Sequence, residues 1–139
     1  MRTQRIKAGV RHILGLRTAS RLAAWACIMA ITALSLAPAE QMLRTGLSGR
    51  AEHALAYAGT AFITTVAYGQ RGTSWVTLSW LAYAGVLESL QHFSPGRTPS
   101  FEDYVFSGAG ILMGVAVYVL VRKWGLSSVP GDGRVGATR

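Results

Sequence analysis

The chain has 139 residues, half of them hydrophobic and only 14% charged, where a soluble domain carries about 25% charged residues. That length holds one domain and hardly two, and the imbalance points to a membrane protein. The net charge of +8 does not argue for nucleic acid, because the basic residues gather at the ends of apolar runs, where they carry topology.

Met1 to Arg21 is a basic leader with Arg2, Arg5, Lys7, Arg11, Arg17 and Arg21 and no acid. It has the composition of an amphipathic helix on an anionic membrane surface and is expected in the cytoplasm. Leu22 to Pro38 is the first spanning segment. A basic stretch, an apolar stretch and Ala37-Pro38-Ala39 also spell a cleavable signal peptide; the long leader and the near-spanning apolar length favour a retained helix. Cys27, the single cysteine, lies inside this run and reads as a small hydrophobe rather than a disulfide partner.

Glu40 to Arg50 is a polar loop. His53 to Tyr68 is the second apolar run, rich in the small residues that let membrane helices approach closely. Gly69 to Thr73 is a turn carrying Arg71, and Ser74 to Leu90 is the third run. Glu88 to Asp103 is a polar segment with a Pro95-Gly96 turn. Phe106 to Trp124 is the fourth run, closed by Arg122 and Lys123. Gly125 to Arg139, rich in Gly, Ser and Pro, is expected to be a flexible tail.

Each run approaches the roughly 20 residues that cross a bilayer as a helix, and in hydrocarbon such a run must satisfy its backbone internally. The expected fold is therefore all-α: an integral membrane bundle of four transmembrane helices. The basic residues put the leader, Arg71 and the tail on one side and only Arg44, Arg50 and Arg97 on the other, so both termini are expected in the cytoplasm of a multi-pass inner-membrane protein.

That topology delivers polar residues to the outer face. His53 and Tyr57 share a helix face, as do Glu88, Gln91 and His92, and Asp103 with Ser107. Gly110 and Gly114 continue the last stripe as a small-residue groove able to seat another helix. Ionisable groups at the mouths of membrane helices mark a site more often than a bare connection. Blander readings exist for each. Glu88 with Arg97 or His53 makes an ion pair that fixes register, Arg97 a headgroup anchor, and Tyr57 a belt aromatic. Glu52 and Glu102 are expected to face water. His53, Glu88, His92 and Asp103 lack metal-ligand spacing, so no metal or other cofactor is expected.

The polar residues resemble the VanZ-like family of small bacterial membrane proteins. The family pairs a D-K-x-x-H-x-x-x-Y stretch, here Gly49, Arg50, His53 and Tyr57, with an E-x-x-Q…P-x-R-x-x-S-x-x-D-x-x-x-N-x-x-G stretch. The latter reads Glu88, Gln91, Pro95, Arg97, Ser100, Asp103, Ser107 and Gly110, and the match covers about Gly49 to Gly114. Gly49 stands where the family has its acid and Ser107 where it has Asn, while Arg50 keeps the positive charge of the family's Lys. The resemblance implies a multi-helix integral membrane protein, and the family's name comes from a member linked to low-level resistance to teicoplanin, a glycopeptide acting on cell-wall precursors.

Three functions fit these residues. In a binding module, Arg50, His53 and Arg97 hold an anionic envelope ligand, such as a lipid-linked phosphate or a cell-wall precursor. Glu88 and Asp103 orient the cations, and Tyr57, Gln91 and Ser107 add hydrogen bonds. In a membrane hydrolase or transferase, His53 is general base, oriented by Glu88 or Asp103, with Arg97 stabilising developing negative charge. A scaffold is the third. The missing nucleophile motif favours binding.

Overall fold

The computed structural model describes residues 2–41, 46–69 and 72–127, with side chains for those from 18 to 124. Arg44, Arg71, the leader's side chains up to residue 17 and the expected tail beyond residue 127 lie outside the described residues. The described chain is all-α. It forms α1 (Arg2–Leu36), α2 (Gly49–Tyr68), α3 (Thr73–Leu90) and α4 (Phe101–Ser127), with short 3-10 turns at Ala39–Gln41 and Gln91–Phe93. Among the described residues, two segments are long and apolar enough to cross a membrane, Thr18–Leu36 and Phe101–Trp124. The helices α2 and α3 are 20 and 18 residues long.

Local chemistry sets the helix ends. Ser48 caps α2 by accepting the Ala51 N–H on its hydroxyl, which satisfies a donor with no partner inside the helix. Gly72 precedes α3 with φ of 112° and Gly96 sits at φ of 73°, conformations that glycine adopts without a Cβ clash. Ser94-Pro95-Gly96-Arg97 closes a turn through the bond from Arg97 N–H to the Ser94 carbonyl, 3.2 Å, with the proline common at the second position of a type II turn and the glycine whose positive φ its third position requires. The Ser100 hydroxyl accepts the Glu102 N–H at 3.2 Å, and Glu102 and Asp103 place acid in the first turn of α4, where the helix dipole favours it.

The leader is helical, and α1 runs without a break from the basic stretch into the apolar one. Arg17 to Leu36 holds no Gly or Pro, so nothing at that junction ends a helix.

Packing centres on α2 and α4. A Cβ built on Gly110 would lie 2.2 Å from the Ala54 carbonyl oxygen, and one on Gly114 2.2 Å from that of Ala58. Both pairs step four residues along each chain, so the two helices run parallel and their backbones touch along the glycine stripe. The small-residue groove is thus occupied, and its occupant is α2. Around this pair Ile31, Tyr57, Ala61, Trp80, Leu87 and Ile111 form the core. Buried Thr60, Thr64 and Thr65 each donate to the carbonyl four residues earlier, which satisfies their hydroxyls without water. Among the described residues no buried side-chain polar atom lacks a hydrogen-bond partner.

Candidate functional site

The end of α1, the start of α2, the end of α3 and the start of α4 meet at one end of the bundle. The three polar stretches of the sequence are gathered there, held by contacts between segments far apart in the chain.

Arg97 is committed to the main chain of α1. Its Nε donates to the Ala37 carbonyl at 3.1 Å and an Nη to the Leu34 carbonyl at 2.6 Å. The Ser94 hydroxyl donates to the Leu36 carbonyl at 3.0 Å, and Ala39 N–H bonds the Pro95 carbonyl at 3.2 Å. The last carbonyls of a helix have no partner inside it, and a guanidinium there both donates to them and complements the negative end of the dipole. The turn between α3 and α4 therefore caps α1.

The Glu88 carboxylate, for which an ion pair with Arg97 or His53 is one reading of the sequence, accepts the Ser100 N–H at 2.7 Å. Glu102 forms an ion pair with Arg50, both side chains more than half exposed. The Arg50 guanidinium also lies 5.9 Å from the centre of the Phe106 ring. His53 stands one turn beyond Arg50 on α2. Its Nδ1 is 3.4 Å from the Ser107 hydroxyl of α4, a long contact, and its ring stacks on Tyr57 with centroids 6.4 Å apart. Tyr57 is buried and faces Ser35 of α1.

Of the residues singled out in the sequence, Arg50, His53, Tyr57, Glu88, Arg97 and Ser107 thus join one end of the bundle through specific contacts. Gln91 is buried in the turn after α3. Asp103 is half-buried in the first turn of α4, and His92 is exposed. Among the described residues, no three His, Cys, Asp or Glu side chains group as metal ligands do. The contacts of Ser94, Ser100 and the α1 carbonyls are not legible in the sequence. The one clue to Ser94 is its place at the start of a Pro-Gly turn.

The aromatic contacts continue away from this end. Tyr57 meets Trp80 edge-on at 5.9 Å and Trp80 meets Tyr83 edge-on at 5.6 Å. The Tyr83 hydroxyl hydrogen-bonds Thr32 of α1. Beyond them a cavity of about 450 Å³ opens between α1, α2 and α3, at the opposite end from the polar cluster.

No family model, curated protein or solved structure matches the chain.

Proposed function

We propose that the chain is a four-span, VanZ-like membrane protein with both termini in the cytoplasm, whose polar end faces outward and binds an anionic envelope ligand. All four helices carry exposed apolar side chains: Leu22 and Met29 on α1, Leu55 on α2, Leu78 and Val86 on α3, and Leu112 and Val121 on α4. Apolar surface spread over every helix suits a lipid surround better than water. The capping of α1 by Arg97 and Ser94 supports a retained first helix, because cleavage after Ala39 would remove the carbonyls these residues hold.

The observation that carries the binding reading is the pairing at Arg50. Its guanidinium is exposed, held over Phe106, and partnered by a carboxylate on the neighbouring helix. A phosphate or carboxylate ligand offers that guanidinium the same kind of anionic oxygen acceptor that Glu102 does. His53 lies one turn deeper to supply a further donor. Arg97 and Glu88 hold the frame that brings α2 and α4 to this position.

The test is binding of undecaprenyl phosphate to the purified protein in detergent. Losing a charge-assisted hydrogen bond costs about 1.5–3 kcal/mol, so Arg50→Ala and His53→Ala should weaken binding by roughly tenfold or more. Glu102→Gln, which removes the competing carboxylate, should tighten it. Unchanged affinity in all three variants rejects the site.

One observation favours a hydrolase or transferase: the Ser107 hydroxyl beside His53 is the beginning of a nucleophile and base pair. Ser107 is 2% exposed, between α2 and α4, which sets it back from any substrate. Phosphate release from undecaprenyl pyrophosphate, lost in both Ser107→Ala and His53→Ala, would establish this reading over binding.

A further inference from the structure

We propose that the cavity between α1, α2 and α3 holds one acyl chain of an anionic phospholipid, with the headgroup against Arg21. This site lies at the other end of the bundle from Arg50 and does not depend on the ligand proposed there.

The cavity's volume of about 450 Å³ falls within the roughly 300–1,000 Å³ of small-molecule sites. Its walls are chiefly Trp25, Ile28, Tyr68, Trp75, Trp80 and Tyr83. Two hydroxyls on that wall are already committed: Thr64 donates to the Thr60 carbonyl at 2.7 Å, and Tyr83 pairs with Thr32. Water in a cavity needs two to four polar partners, and this wall offers few. An apolar chain needs none.

The mouth supplies the other half of the argument. Trp25 and Trp75 are exposed at the rim, 58% and 71%, and indoles favour the membrane–water interface. The Arg21 guanidinium carbon lies 5.7 Å from the centre of the Tyr68 ring. A guanidinium over a ring face still has N–H donors to offer a phosphate as a fork. Tyr68 is both the ring beneath Arg21 and part of the cavity wall, so cation and apolar slot share a residue. An amphiphile with a negative head and a slim apolar tail matches both. A second copy of the chain matches neither: a helix with its side chains is about 10 Å across, and the copy would bring a net charge of +8 to a basic rim.

The experiment is native mass spectrometry of the detergent-purified full chain with equimolar dipalmitoyl phosphatidylglycerol and dipalmitoyl phosphatidylcholine. One phosphatidylglycerol should remain bound at collision energies that strip phosphatidylcholine. Ser79→Phe, which puts a ring into the cavity, should remove that adduct at unchanged helicity and monodispersity. If Ser79→Phe fails to fold, Ser79→Leu takes its place and should reduce the adduct several-fold. Arg21→Gln should bring the two lipids to equal retention. Equal retention of both lipids by the parent overturns the proposal, as does an adduct that survives the Ser79 variant. Loss of the adduct in Arg50→Ala overturns it too, by placing the lipid at the other end, and so does a dimer that disappears with Ser79→Phe.

Discussion

Glu88 accepts the main-chain N–H of Ser100 at 2.7 Å, so the last turn of α3 fixes the residue from which α4 starts. Removing the acceptor strands a partly buried donor, at about 1–3 kcal/mol. Glu88→Ala should lower the thermal unfolding temperature in detergent, whereas Glu88→Gln, which keeps an acceptor oxygen, should lose less. Equal loss in the two variants would mean that the carboxylate's charge, rather than this hydrogen bond, is what matters.

Arg97→Ala should destabilise the protein by about 1.5–3 kcal/mol, the range for hydrogen bonds to a charged group. Arg97→Lys keeps a cation at the C-terminal end of α1, worth about 0.3–1 kcal/mol, but lacks the planar fork that reaches the Leu34 and Ala37 carbonyls together. Its stability should therefore fall between the parent and Arg97→Ala. Thermal unfolding of the three proteins checks the order, and a parent-like Arg97→Ala would detach the residue from the cap.

Gly114→Ala should separate α2 from α4, because the added Cβ would meet the Ala58 carbonyl oxygen at 2.2 Å and backbone cannot move aside as a side-chain tip can. Gly59, on α2 itself, has open space where a Cβ would stand, with nothing within 4 Å. Gly59→Ala should be neutral or stabilise by about 0.5–1 kcal/mol through helix propensity. Size-exclusion profiles and unfolding temperatures of the two variants make the comparison, and equal behaviour would reject the close contact of the helices.

Reporter fusions distinguish four spans from two. With four, a reporter at Gly72 and one at Gly125 are both cytoplasmic and one at Leu47 is external. If only α1 and α4 cross, Gly72 becomes external while the other two are unchanged. A cytoplasmic signal at Gly72 is the expected result.

Helix number and type are readable from the sequence because each apolar run is continuous and bounded by Gly, Pro or charged residues. The pairing of α2 with α4 is visible there as an option in Gly110 and Gly114, though a stripe of small residues does not name its partner. That His53, Glu88, Arg97 and Asp103 lie toward one end of the bundle follows from counting helices. What Arg97 does there does not, because its partners are main-chain carbonyls of Leu34 and Ala37, and carbonyls have no residue identity. The cavity is hidden for a related reason: Trp25, Tyr68 and Trp80 each look like ordinary apolar positions until three helices bring them together. The continuity of α1 from leader into first span is not marked in the sequence, because a change of composition from basic to apolar does not end a helix when no Gly or Pro lies at the junction.

The unbroken α1 has a mechanical consequence. Its 35 residues, at about 1.5 Å each, make a rod of roughly 50 Å, against roughly 30 Å of hydrocarbon. If α1 crosses a bilayer, about 20 Å of helix must then tilt within it or stand beyond it. With its far end clasped by Arg97 and Ser94, the rod acts as a lever: a one-degree tilt about that clasp moves the opposite tip by about 0.9 Å over the length set by the helical rise. A force on the basic end, from a charged surface or a docking protein, would reach the turn that holds Arg97 and Ser94 as torque.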